Sequence, residues 1–229
     1  MRLNIRFAGS GGQGVILASV LLAKGYGLGE DYNIAQTQSY GPEARGGACR
    51  AEVVVSDVEI DYMKVEKADV FIALNQVGYD KYIDTVKDDA IVLINSTLVE
   101  SDNPDHYRIQ ATQRAEEMGK PFVVNLIALG ALTRLMPEIH PPSIEEEIKN
   151  TFPASIAIAN LIAYRVGYEI LDEELNELGY RTGFGDSRFT FQDLTAKKEK
   201  GEQDSETPDS KTMTLRKKKR KKSRRFSRR

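Results

Sequence analysis

The chain has 229 residues, 41% of them hydrophobic, enough apolar side chain for one or two cores. Its single cysteine, Cys49, cannot form an internal disulfide or hold an iron–sulfur cluster alone, and two histidines, His106 and His140, argue against a histidine-rich metal site. The net charge of −2 conceals two unlike parts: residues 211–229 hold 12 of the 32 Lys and Arg and no acid, leaving residues 1–210 with 20 bases against 34 acids.

Residues 2–8 alternate, with Leu3, Ile5 and Phe7 apolar, and read as a strand. GSGGQG (9–14) breaks the strand, and residues 15–27 then place Val15, Leu17, Val20, Leu21 and Leu22 at helical spacing. Residues 52–55 predict a strand, 57–62 a turn and short extension, and 69–74 a buried strand. Residues 77–86 predict a helix, 90–95 a second buried strand, 107–111 a weaker strand and 114–118 a helix. Residues 125–136 form an apolar helix that Asn125 would cap, ending at Pro137. Ser143 would cap a short helix through Lys149, with Glu146 at the capping-box position. Residues 154–171 form a long apolar helix expected to be buried. Strands alternating with helices imply an α/β fold: a three-layer αβα arrangement with a mostly parallel sheet, over residues 1–185. Residues 186–229 turn polar and then strongly basic, with 11 cations in 216–229, and are expected to be a disordered tail. Phe226 is the one aromatic residue in that block, so no base-stacking platform is evident and a nucleic-acid interface is not expected. No uninterrupted apolar run of about 18 residues is evident, so no membrane span is expected. The start reads as too short and too strand-like for a signal peptide, so none is expected, and a reducing cytoplasm suits the cysteine usage.

Two glycine-rich segments carry candidate chemistry. Gly9, Gly11 and Gly14 match G-x-G-x-x-G between a strand and a helix, where glycines let the backbone approach a phosphate and the helix offers free N–H groups. A ligand-free tight turn or a protein contact satisfies the same pattern. Dinucleotide binding would also need an acid about 20 residues on, at the end of a second strand. Glu30 and Asp31 lie near that distance, but GLGEDYNIAQ is a poor apolar strand. The second segment, IAQTQSYGPEARGGACR (34–50), sets Arg45 beside Gly46 and Gly47, with Gln36, Gln38, Ser39 and Tyr40 nearby. It suits an anionic ligand or another polypeptide, and equally a solvated loop. Asn75 and Gln76 follow a buried strand, where α/β sites gather, although Asn75 could simply cap a helix. His106 and His140, beside prolines, read as surface residues, and Cys49 as a small core residue.

GSGGQGVILAS (9–19), QTQSYGPEARGGACRAEVVVSD (36–57) and EIDYMKVEKADVFIALNQ (59–76) together resemble the gamma subunit of 2-oxoacid:ferredoxin oxidoreductases, most closely the 2-oxoglutarate type. The likeness extends over roughly residues 1–185. It implies an enzyme that oxidatively decarboxylates a 2-oxoacid with coenzyme A, giving acyl-CoA, carbon dioxide and reduced ferredoxin. Thiamine diphosphate and magnesium would sit between alpha and beta subunits, and 4Fe–4S clusters in beta or a ferredoxin-like delta subunit. The gamma subunit would pack beside the active site and help to hold coenzyme A. The chain agrees with that division: it lacks cluster cysteines, and GFGDSR (183–188) is not a magnesium motif for thiamine diphosphate. On this resemblance Gly9, Gly11, Gly12 and Gly14 shape a phosphate-facing turn, and Gln13 bonds a ligand or a neighbouring subunit. Gln38, Ser39 and Tyr40 face the cleft or a partner. Arg45 meets a phosphate of coenzyme A or, alternatively, pairs with an acid of the acidic body, Glu43 could instead orient it, and Gly46 and Gly47 allow close approach. Related enzymes act on pyruvate, branched-chain 2-oxoacids and indolepyruvate; an NAD-binding dehydrogenase is the rival of a different class.

Overall fold

The fold is described from a computed structural model, covering residues 1–39, 48–136 and 138–178. These lie within one compact unit, Met1–Ser187; the other, Arg188–Arg229, lies outside them, as does the tail expected from 186 onward. Six strands form one sheet: β1 (Arg2–Gly9), β2 (Asn33–Gln38), β3 (Cys49–Ser56), β4 (Ala68–Ala73), β5 (Val86–Asn95) and β6 (Tyr107–Ile109), in the order β2-β3-β1-β4-β5-β6. The parallel pairing expected from strand–helix alternation runs through β1, β4, β5 and β6. At the other edge β3 pairs antiparallel with β1, from Arg2↔Ser56 to Gly9↔Cys49, and β2 antiparallel with β3, so the sheet is mixed. The 39–48 connection is shorter than the dozen or so residues that a parallel crossover needs, so β2 and β3 must turn back on each other. Strand β2 was not legible in the sequence. As an edge strand with every position half-buried or exposed, it lacks the apolar signature and is held by its ladder to β3.

The helices are α1 (Val15–Lys24, running into a π-turn, Gly25–Gly29), α2 (Gln76–Tyr82), α3 (Ala111–Glu117), α4 (Val124–Leu135), α5 (Pro141–Thr151) and α6 (Ala154–Leu178). Strand residues divide between the faces with period two. Ile5, Phe7, Val53, Val55, Val70 and Ile72 join the main core with side chains from α1, α3, α4, α5 and α6. Phe71, Ala73, Val92 and Ile94 face the other way, under Tyr82 of α2 and Val99, while Val54 and Ala68 are covered by Val65. Among the described residues the two helical layers are therefore unequal: five helices cover one face, and one helix with irregular segments covers the other.

Helices α4 and α6 touch backbone to backbone. A Cβ on Gly130 would fall 1.8 Å from the Tyr164 carbonyl oxygen, and one on Gly167 would fall 1.9 Å from that of Ile127. The burial expected along α6 holds on this side only. Ile156, Ile158 and Ile162 are 49%, 62% and 51% exposed. By length and composition alone, Ala154–Leu171 is long and apolar enough to cross a membrane, with one third of it buried inside the fold. Core helices of soluble proteins pass the same test, and Arg165 and Glu169 interrupt this stretch.

Two expected caps are reassigned. Helix α5 starts at Pro141, so His140 is its N-cap residue and Ser143 lies inside it. The missing acceptor is Glu30, whose carboxylate takes the His140 N–H at 3.0 Å, the Ser143 hydroxyl at 2.6 Å and lies 2.9 Å from His140 Nδ1. Negative charge at a helix start is favourable, so Glu30 caps α5 from 110 residues away. It is thus not at the end of a second strand, which begins only at Asn33, and the dinucleotide requirement fails. Asn125 lies inside α4, whose N-cap is Val123.

Candidate functional site

Strand β1 passes its chain to α1 on the main-core face and β4 passes its chain to α2 on the opposite face. The connections diverge between β1 and β4, and a crevice outside their carboxyl ends is where open α/β sheets place ligands. The glycine loop lies there. Gly9 ends β1 so closely packed that a Cβ would meet Gln13 Oε1 at 2.8 Å and Val15 Cγ2 at 2.9 Å. Gln13 works within the chain: its Oε1 accepts the Ser10 N–H at 2.6 Å and its Nε2 donates to the Leu74 carbonyl at 3.3 Å. Its carboxamide thus joins the glycine loop to the end of β4; the sequence expectation for it was a hydrogen bond to a ligand or a neighbouring subunit.

Gly11 and Gly12 form an exposed crest, and Gly12 has φ +92° with nothing within 4 Å of an added Cβ. Gly14 takes φ 74°, ψ 21°, the left-handed region, and opens α1. Among the described residues no side chain caps α1, and its first turn holds no acid, so its first N–H groups and positive dipole end suit an anion. These features fit a phosphate-bearing ligand. Asn125 supports the loop from below, donating from Nδ2 to the Gly14 carbonyl at 3.3 Å; a Cβ on Gly14 would fall 2.4 Å from that nitrogen.

The antiparallel edge brings the second motif to the same end of the sheet. Gly9 pairs with Cys49, Gln38 pairs with Ala51, and the Ser39 N–H donates to the Arg50 carbonyl at 3.1 Å. Both ends of the 39–48 connection therefore lie at the end of the sheet that carries the glycine loop, Cys49 beside Gly9 and Ser39 one strand further out, with Gln38 and Ser39 half-buried. Tyr40, Glu43, Arg45, Gly46 and Gly47 lie outside the described residues. Gln36 donates to Ser19 Oγ at 3.0 Å and so anchors β2 to α1. Cys49 is buried, as a small core residue should be, and burial pushes its thiol pKa up, away from reactivity.

Polar residues after β4 and β5 complete the crevice. Asn75 caps α2, accepting the Gly78 N–H at 2.9 Å, and its Nδ2 donates to Ser10 Oγ. Gln76 exchanges hydrogen bonds with the Glu100 backbone. Asn95, fully buried, donates to the Leu74 carbonyl at 3.1 Å and Thr112 Oγ1 at 2.8 Å, and accepts the Thr112 N–H. Sequence reasoning missed Ser10, Asn95 and Thr112; the only available signal was Asn95 closing a predicted buried strand. His106 is also buried, against expectation, with Nδ1 2.9 Å from Ser101 Oγ and its ring edge-to-face with Tyr79. Burial, helped by the Arg108 guanidinium, holds its pKa below the usual value. Among the described residues no three His, Cys, Asp or Glu side chains cluster as metal ligands.

The sequence pattern of pyruvate ferredoxin/flavodoxin oxidoreductases matches residues 4–170. The chain belongs to that family. Within the pyruvate ferredoxin/flavodoxin oxidoreductase family, it is 44% identical over 179 residues to the 2-oxoglutarate synthase subunit KorC of Methanocaldococcus jannaschii, covering 76% of this chain and 96% of the relative. The crystal structure of a keto/oxoacid ferredoxin oxidoreductase gamma subunit from Geobacter sulfurreducens superposes with a TM-score of 0.68 at 33% identity, covering 76% of this chain and 98% of that one. The fold also matches, at TM-score 0.67 and 22% identity, 31% of a chain of the Magnetococcus marinus 2-oxoglutarate:ferredoxin oxidoreductase and 75% of this chain. That structure holds 2-oxoglutarate, coenzyme A and succinyl-CoA.

Proposed function

We propose that the chain is the gamma subunit of a heteromeric 2-oxoglutarate:ferredoxin oxidoreductase and contributes the surface that holds the anionic part of coenzyme A. One observation carries this reading: the β1–β3–β2 ladder places the two sequence motifs, 9–14 and the ends of 39–48, at one end of the sheet. Gly11 and Gly12 let a pyrophosphate approach the crest, the α1 N-terminus supplies positive potential, and Arg45 supplies a cation. Gln38 and Ser39 border the same end, and on this reading Tyr40, Gly46 and Gly47 are assigned to the same ligand. Coenzyme A, when bound, supplies the thiol that accepts the acyl group; this chain's residues bind and orient its phosphate end. Thiamine diphosphate, magnesium and 4Fe–4S clusters belong to the alpha, beta and delta partners, ferredoxin takes the electrons, and the complex works in the cytoplasm. The exposed isoleucines of α6, together with Phe122 at 78% exposure, supply apolar surface of the kind a subunit interface covers.

The same role with pyruvate, a branched-chain 2-oxoacid or indolepyruvate is the second reading, since the substrate pocket would lie mostly in alpha and beta. Anaerobic affinity purification of this chain from its native cells, followed by 2-oxoacid- and coenzyme-A-dependent viologen reduction, tests both. Co-purified thiamine-binding and cluster-bearing chains with 2-oxoglutarate activity are expected, and Arg45→Gln should raise the KM for coenzyme A about tenfold. Activity confined to another 2-oxoacid selects the second reading, and a chain recovered without such partners refutes the subunit function.

A further inference from the structure

Asn75 stands outside both glycine motifs, yet its side chain reaches the loop. Its Oδ1 accepts the Gly78 N–H at 2.9 Å, which fixes the carboxamide orientation, because the reversed amide would set two donors against each other. Its Nδ2 consequently faces Ser10 and donates to the hydroxyl oxygen. The backbones leave no slack for another arrangement. A Cβ on Gly78 would meet Asn75 Oδ1 at 2.8 Å and the Gly9 nitrogen at 3.0 Å, and one on Gly9 would meet Leu74 Cβ at 3.2 Å. The start of α2, the end of β4 and the start of the glycine loop are one packed unit.

Ser10 lies immediately before the exposed crest of Gly11 and Gly12 and is itself half-buried. A hydroxyl that accepts from an amide keeps its own proton to give away. Among the described residues no acceptor takes that proton. We infer that Asn75 is a positioning residue that makes Ser10 a hydrogen-bond donor toward an anionic oxygen bound over Gly11 and Gly12. The inference rests on the coenzyme-A reading above and names the phosphate end as the part that Ser10 meets.

Asn75→Asp in the assembled complex is the discriminating variant. It keeps an acceptor for Gly78 N–H, so the cap survives, but it offers Ser10 a carboxylate that draws the hydroxyl proton back. The KM for coenzyme A should rise about tenfold or more, with kcat at saturation within about twofold and Tm within about 2 °C. Ser10→Ala should raise KM similarly, and the double variant should be no worse than the poorer single one, because both remove the same donated proton. Asn75→Ala, which also loses the cap, should lower Tm as well. A KM within twofold of wild type in Asn75→Asp, or additive effects of the two substitutions, overturns the positioning role while leaving coenzyme-A use intact. A wild-type complex with no dependence on coenzyme A overturns the proposed function and this inference together.

Discussion

Arg6 and Glu52 face each other across β1 and β3 with side chains 3% and 8% exposed and Nε 2.8 Å from Oε1. Three more contacts hold the guanidinium: the Val65 carbonyl at 2.6 Å, the Thr85 carbonyl at 3.2 Å and the Thr85 hydroxyl. Because Arg6 is held on three sides, Glu52→Gln leaves its charge in place without a counterion rather than releasing it to water. The gross attraction at that separation is about 6 kcal/mol at an effective dielectric of about 20, and breaking buried pairs costs about 3–5 kcal/mol. The introduced carboxamide would still accept one hydrogen bond, so the lower figure, about 3 kcal/mol, is expected. For a chain of this size that is roughly 6–12 °C in Tm. Urea unfolding of the full chain followed by circular dichroism measures it, and the loss should persist at high salt because buried pairs are poorly screened. Arg6→Met with Glu52→Leu should cost less than Glu52→Gln alone, since neither charge is then stranded. A loss below about 1 kcal/mol for Glu52→Gln, or a double variant that loses the sum of the singles, would refute the reasoning.

Two further outcomes test the packing and the buried histidine. Gly130→Ala and Gly167→Ala set a methyl against a backbone carbonyl and should each cost about 3 kcal/mol or more in urea unfolding, whereas Gly119→Ala, with open space but φ +66°, should cost only about 1 kcal/mol. Equal losses at all three sites would contradict the close α4–α6 crossing. Because the folded pKa of His106 is lowered, the unfolded chain binds the proton more readily. Its stabilisation is complete above the unfolded value of 6.5 and declines as pH falls from there through the lowered folded value. The fall in unfolding free energy below that pH should therefore be shallower in His106→Gln, and an imidazole resonance titrating above 6.5 in the folded protein would overturn the assignment.

Local signals made much of this protein legible. Alternating Leu3, Ile5 and Phe7 mark β1, and the apolar run at 69–74 marks β4, because burial on both faces demands apolar side chains at successive positions. The glycine loop was readable because only glycine takes the left-handed turn of Gly14 readily, and the resemblance of both motifs pointed to one family. Elements held by backbone ladders or distant partners were not readable. β2 has no apolar stripe, the cap of α5 comes from Glu30, and the interior side of α6 is chosen by Gly130 and Gly167. By itself, then, the sequence determined the strand–loop–helix units and the two glycine motifs, whose preferences are local. The tertiary structure alone decided that β3 runs against β1, which brings residues 9–14 and the ends of 39–48 to one crevice and directs Gln13 and Asn75 to the loop. Register and distant hydrogen bonds depend on which strands become neighbours, and no local preference encodes that.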